Sequence, residues 1–417
     1  MFKSKSNHET IQSNADIGGM MAVIEDSINT DYPELSVKAL FDKQARETLR
    51  INLIKDHKGR LSEDASHRIL SEIVGLGFFE ELIKDESITD IGYNGTDLWV
   101  KTSDTKRRMH HPDLNEAYIL KIIQRFSNYV HQEFSEKSPI LNAQLDNIRI
   151  NAIHRKLSPT GTTMSMRHAR NRLVLTHENW HQFAHDAVFD LLDLCLKIGI
   201  NLVITGEVGT GKTELQKLLI GSIPDDFKLI MVEDTLETHL KDIYPDKDIL
   251  SWLVAPGFSH TQFIKEALRN DPVYTVLSEA RDHAIYEIHQ SVLSGHKILL
   301  TAHSVNARAF IPRMIGMTKQ KFHVDEASLK QEILRYYDFG IHLDKRTVHG
   351  KTLRFISEVV EYTDAGLQTL YSKDVTIDPQ TQHLSETQQF YPLSDAMVDR
   401  LYKYGYSPQW NERIKER

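Results

Sequence analysis

The sequence predicts an α/β fold: a domain built on a parallel-rich sheet over residues 187–370, preceded by a smaller α+β domain over 78–170 and a helical N-terminal extension over 1–77. Three observations predict it. From Ala187 onward, helix-patterned and strand-patterned segments alternate, as they do where parallel strands are joined by helical crossovers. Residues 206–213 read Gly-Glu-Val-Gly-Thr-Gly-Lys-Thr, the phosphate-binding pattern GxxxxGK(S/T), set between an apolar β-branched run and a helix-patterned one. Between 78 and 170 the pattern is one of short β-type runs interrupted by a single helix-like segment.

In chain order, residues 34–53 and 62–74 show a broken 3.6-residue apolar periodicity that predicts helices, and the stretch before Asp31 reads as partly flexible. Runs at 88–93 and 98–101 predict strands joined through an Asn94-Gly95 turn, and 116–130 predicts a helix. Residues 171–186 carry charged and histidine side chains with few apolar residues in register, and read as a linker. Strands are predicted at 200–205, 228–232, 274–277, 297–301, 339–343 and 353–359. Leu215, Leu218 and Leu219 recur at helical spacing until Gly221 and Pro224 end that helix. Residues 371–417 read as a polar, proline-punctuated tail with one short helix over 397–404.

The loop residues Gly206, Glu207, Val208, Gly209, Thr210, Gly211, Lys212 and Thr213, with Glu214 after them, are the expected nucleotide contacts. Glycines let backbone N–H groups approach phosphate oxygens, and the helix N-terminus favours their charge. Lys212 reaches the β and γ phosphates, and Thr213 offers a hydroxyl to Mg2+. ATP as substrate and Mg2+ as cofactor are therefore expected. Three further segments end predicted strands, where a parallel sheet places its ligand-binding loops. Residues 231–237, Met-Val-Glu-Asp-Thr-Leu-Glu, bring the adjacent carboxylates of Glu233 and Asp234 to a strand end. Residues 274–279 end in Glu279, a carboxylate that can hold Mg2+ through water or orient an attacking water, with Arg281 two positions on. His296 and His303 fall at the two ends of one strand. Taken singly, the first of these could be a solvated acidic turn and the last a pair of surface histidines.

The bulk properties narrow the classes. A chain of 417 residues with 40% hydrophobic content is long enough for more than one domain. Its 50 basic and 58 acidic side chains leave a net charge of −8, so direct nucleic-acid binding is not expected, although a local basic patch stays open. Cys195, the single cysteine, lies in an apolar helical stretch; it reads as a core residue in a reducing setting. No apolar core of signal-peptide length follows Lys3, Lys5 and His8, and no stretch reaches spanning length. Neither a standard secretion signal nor a membrane span is expected, while peripheral membrane association stays open.

The order of the segments resembles that of the secretion ATPase superfamily, the motors of type II secretion, type IV secretion and type IV pilus systems. Its Walker A, Asp box, Walker B and His box correspond here to 206–213, 233–237, 268–281 and 295–303. The likeness extends upstream to 82–95 and 138–167. Downstream, Ile341-His342-Leu343, Arg346, Gly350 and 354–358 resemble the final strands of the branch that holds the conjugation and tight-adherence pilus ATPases. With one cysteine the chain lacks the four-cysteine zinc module of many assembly ATPases, which points the same way. The resemblance implies a RecA-like P-loop ATPase domain and a homohexamer at the cytoplasmic face of the membrane. It implies membrane-embedded secretion or pilus platform proteins as partners, and a coupling ATPase besides. It also implies roles: Glu279 in the metal's water shell, Glu233 polarising the attacking water, His303 near the γ-phosphate, and Arg149 and Arg167 reaching the nucleotide from the N-terminal domain. Val273 and Ser278 depart from the Asp and Gly usual at those positions, which puts a typical Walker B turn in question. A DNA translocase sharing the P-loop core, or a nucleotide-binding scaffold without turnover, are the alternatives.

Overall fold

Two runs of chain, Met1–His168 and Ala169–Arg417, fold around separate cores in the computed structural model, which describes residues 14–57, 61–145, 147–255 and 257–415. Lys3, Lys5 and His8 lie outside the described residues.

The first unit opens with helices Asn14–Asp31, Pro33–Lys38, Lys43–Asp56 and Glu63–Ile73. The periodic stretch at 34–53 is thus two helices. The break falls where Asp42 accepts hydrogen bonds from the backbone of Gln44 and Ala45 and so starts a new helix. Ile24, Ile28, Leu49, Leu53, Ile69 and Leu70 close a small core between them. A six-stranded antiparallel sheet follows: β1 (Ile88–Tyr93), β2 (Leu98–Thr102), β3 (Lys106–Met109), β4 (Ile140–Leu145), β5 (Ile148–Ile153) and β6 (Thr163–His168), in the order β3-β2-β1-β6-β5-β4. Helix Glu116–Tyr129 covers one face with Ile119, Ile122, Ile123 and Phe126, the spacing of an amphipathic stripe. Arg125 on the same helix donates to the carbonyls of Glu72 and Gly75, tying the helical extension to the sheet domain.

The second unit is a nine-stranded sheet: β7 (Leu202–Gly206), β8 (Leu229–Glu233), β9 (Ile249–Leu253), β10 (Tyr274–Ala280), β11 (Lys297–Ala302), β12 (Phe339–Val348), β13 (Lys351–Thr363), β14 (Gly366–Ile377) and β15 (Leu384–Phe390). The order is β15-β14-β13-β12-β7-β11-β10-β8-β9. From β12 to β9 the pairs are parallel; β13, β14 and β15 add on antiparallel. Both faces of the parallel part are covered. Leu202 and Ile204 enter one core with Leu215, Leu218, Leu219 and Met231, and Val203 enters the other with Val232, Leu300 and Ile311. Two-sided burial is why these strands read as continuous apolar runs.

All six strands expected over this stretch form, and β9, β14 and β15 join them unannounced. The last two are antiparallel and carry runs of polar residues, 372–374 in β14 and 385–389 in β15, so their pattern resembles that of a surface segment. β14 runs across position 370, where a tail was expected to begin, and helix Asp395–Lys403 docks Met397 and Leu401 into the core. Arg400 on that helix pairs with the half-buried Asp338 at 2.6 Å. The stretch expected as a linker, 171–186, sends Leu175, Trp180 and Phe183 into the same core. No helix among the described residues is long and apolar enough to cross a membrane.

Candidate nucleotide site

The phosphate-binding loop leaves the C-terminal end of β7, the central strand, and enters helix Lys212–Ile220. Two glycines are required by geometry. A Cβ on Gly206 would lie 2.6 Å from Thr210 Oγ1 and 2.8 Å from the Leu343 carbonyl, and Gly211 caps the helix at a φ of +98°. Gln216, buried on that helix, donates to the carbonyls of Leu277 and Leu299, which sets the helix against β10 and β11. The Lys212 ammonium donates to the carbonyls of Gly206 (3.0 Å) and Glu207 (2.9 Å) and lies 3.3 Å from His303 Nδ1. Burial pushes its pKa down to about 8, Lys345 adds to that push, and Glu279 opposes it. Thr213 takes the next position in the first helical turn.

His303, just past the end of β11, sits between two charges: its Nε2 lies 3.3 Å from Glu279 Oε1 at the end of β10. The other Glu279 oxygen accepts from Arg281 at 2.8 Å, and Arg281 reaches Asp234 Oδ2 at 3.3 Å. Asp234 in turn faces His260 Nε2 at 3.4 Å. An unbroken chain of alternating partners therefore joins the loop lysine to the ends of three strands. Ser278 does not spoil the turn: the β10–β11 register shifts between Leu277 and Ala280, and Ser278 is absent from the residues with positive φ, so no glycine is needed there.

Glu233 is placed differently from the other acids. It is fully buried, and its carboxylate accepts from the backbone of Glu237 (3.1 Å) and Thr238 (3.0 Å) and from the Thr238 hydroxyl (2.8 Å). It shapes the turn that displays Asp234 and Glu237; those two charges, with that of Glu279, act on Arg281. Burial pushes the Glu233 carboxyl up to about 7 against the pull of its hydrogen bonds. An acid whose pKa is raised by folding loses stability as pH climbs from the unfolded value towards the folded one, here from about 4.5 to about 7. Relative to Glu233→Gln, the native protein should therefore lose up to about 3 kcal/mol between pH 5 and 8, read from paired denaturant titrations. A difference that does not change with pH would refute this.

Within the second unit the structure brings Lys212, Glu279 and His303 together and places Glu214 and His296 elsewhere. Glu214 turns its carboxylate to the Val174 backbone and to buried Lys217, which also holds the carbonyls of Arg170 and Arg172. His296 stands at the far end of β11, roughly 20 Å away at the rise of a strand. Arg149 and Arg167 belong to the first unit, directly opposite each other on β5 and β6, with Arg167 bonded to Asp90 at 3.0 Å. Sequence reasoning missed His260, and Lys345 and Arg354 on the β12–β13 hairpin beside the loop. A hint of Lys345 existed: charged residues directly follow the apolar run that ends at Leu343.

Fold and loop together define a P-loop ATPase with a RecA-like sheet. The Type II/IV secretion system protein family matches residues 72–335. An uncharacterized protein of Bacillus anthracis is 37% identical over 372 residues, covering 85% of this chain and 84% of that one. The type IV secretion system protein VirB11 of Bartonella henselae is 25% identical over 311 residues, covering 62% and 83%. In fold, the Yersinia pseudotuberculosis ATPase DotB aligns over 69% of this chain and 78% of its own at 18% identity, with a TM-score of 0.53. The chain belongs to the type II/IV secretion system protein family, within the secretion ATPase superfamily, as the order of its motifs implied.

Proposed function

We propose that the chain is a Mg-ATP-hydrolysing motor that works as a homohexamer and powers a type IV secretion, conjugation or pilus-type machine. The carrying observation is the run of contacts from Lys212 through His303 to Glu279 and Arg281. It sets a cation for phosphates and a carboxylate for metal or water a few ångströms apart, the positioning that phosphoryl transfer to water demands. The donor set suits Mg2+: one hydroxyl, Thr213, and one carboxylate, Glu279, match an ion that keeps several waters and shares phosphate oxygens. Bound there, Mg2+ would neutralise charge on the phosphates. Glu279 would hold its water shell, Glu233 would keep the Asp-box turn in place, and His303 would hold Glu279 next to Lys212.

Arg149 and Arg167 stand opposite each other on the adjacent strands β5 and β6, with Asp90 beside Arg167. Their proposed task is to close on the phosphates, for which the planar guanidinium fork is suited. The proposed partners are further copies of the chain, membrane-embedded secretion or pilus platform proteins and a coupling ATPase, met at the cytoplasmic face of the membrane. The test is Mg2+-dependent phosphate release together with sedimentation. Arg149→Ala and Arg167→Ala should each lower turnover by about tenfold or more without lowering the melting temperature, and a non-hydrolysable ATP analogue should drive a hexamer-sized species. Protein that stays monomeric with saturating nucleotide, while both variants turn over normally, refutes the ring motor. Turnover that rises steeply on adding DNA and collapses with salt would favour a DNA translocase instead.

A further inference from the structure

The β12–β13 hairpin extends past the end of β7 and lies beside the phosphate-binding loop. β12 pairs in parallel with β7 up to Leu343 opposite Gly206, so Asp344 and Lys345 continue alongside the loop itself. Lys345 Nζ donates to the Val208 carbonyl at 2.7 Å and lies 3.7 Å from where a Cβ on Gly209 would stand. Arg354, on the returning strand, donates from Nε to the Gly209 carbonyl at 2.9 Å, and its Cδ lies 3.8 Å from a Cβ built on Gly211. Both cations thus flank the glycines that admit phosphates.

The partner of the Lys345 ammonium is a peptide carbonyl, which satisfies a hydrogen bond and neutralises no charge. Arg346 differs, because Asp344 pairs with it at 2.7 Å. Lys212 likewise donates to two loop carbonyls. Two lysine ammonium groups therefore converge on one short loop, and they repel each other. Such convergence is costly in isolation and favourable around a polyanion. An ammonium also carries three donors, of which the Val208 bond uses one.

We propose that Lys345 is a second phosphate-binding lysine of this site, supplied by the β12–β13 hairpin, and that Arg354 is a positioning residue that holds the loop beneath it. The inference rests on the reading of the loop as a triphosphate site and adds to it a substrate-binding residue outside the four motifs. Lys345 answers the phosphates of the nucleotide and is indifferent to its base.

Calorimetric titration of the full chain with ATP, inorganic tripolyphosphate and adenosine tests this. Lys345→Met should weaken ATP and tripolyphosphate by about tenfold or more and leave adenosine unchanged, since a charge-assisted bond is lost. Lys345→Arg should restore most of the loss, and Lys345→Gln, which keeps a polar end, should behave like Lys345→Met. Thermal melts of the nucleotide-free variants accompany the titrations, because a lysine that only braces the loop would weaken all three ligands alike. Unchanged tripolyphosphate affinity in both neutral variants, or an equal loss for adenosine, overturns the proposal. Failure of the underlying reading looks different: the native chain would then bind no tripolyphosphate, and Lys212→Ala would change nothing.

Discussion

Lys212→Ala is expected to leave a folded protein that has lost ATP hydrolysis, by about a thousandfold or more. The ammonium is the charge the loop presents to the phosphates, held by the carbonyls of Gly206 and Glu207. The Gly206 carbonyl, at the buried end of β7, also faces His303 Nδ1 at 3.2 Å, and Glu207 is exposed, so the loss of the lysine donor should cost little stability. Phosphate release at saturating Mg2+ and ATP, with a melt of the same sample, decides it. Full turnover in the folded variant would end the ATPase reading of this site. A pH signature accompanies the substitution. Because burial holds the free lysine at about 8, and a polyphosphate favours its charged form, native triphosphate affinity should fall as pH rises from 7 to 9.5. Lys212→Ala should flatten that slope.

Glu279→Gln is expected to lower turnover by about a hundredfold to ten-thousandfold while ATP still binds, because an acid that holds metal water or orients the attacking water acts chiefly in the transition state. The geometry supports this choice: Glu279 is held from both sides by His303 and Arg281, next to Lys212. Glu233→Gln should have the smaller effect, since its carboxylate is buried and taken up by three donors of its own turn. This ordering departs from the one the family resemblance implied for Glu233. Single-turnover hydrolysis and equilibrium ATP binding, measured on both variants, check it. A dead Glu233→Gln beside an active Glu279→Gln would restore the first assignment.

Much of the parallel sheet was legible because burial on both faces leaves uninterrupted runs such as 200–205 and 274–277, and because the loop motif carries its own chemistry. β14 and β15 escaped notice for the opposite reason. Residues such as Ser385, Glu386 and Thr387 look like tail, and only pairing with β13 through β14 makes them sheet. The segment 171–186 misled in the same way, its charges concealing Trp180 and Phe183, which are anchored in the core.

The sequence by itself determined the class of the protein, since a GxxxxGK(S/T) loop followed by an Asp box, a Walker B carboxylate and a His box is a linear order that chance seldom supplies. What it could not determine was which carboxylate faces the chemistry. Glu233, Asp234 and Glu237 are neighbours in the chain, and only the fold assigns Glu233 to its own turn and Asp234 to Arg281. Nor could it place Lys345 beside Gly209, since 136 positions of chain separate them and the β7–β12 pairing alone closes the gap. Local pattern records what neighbouring residues do together, whereas a site is made by strand ends that are remote in sequence and meet only when the sheet forms.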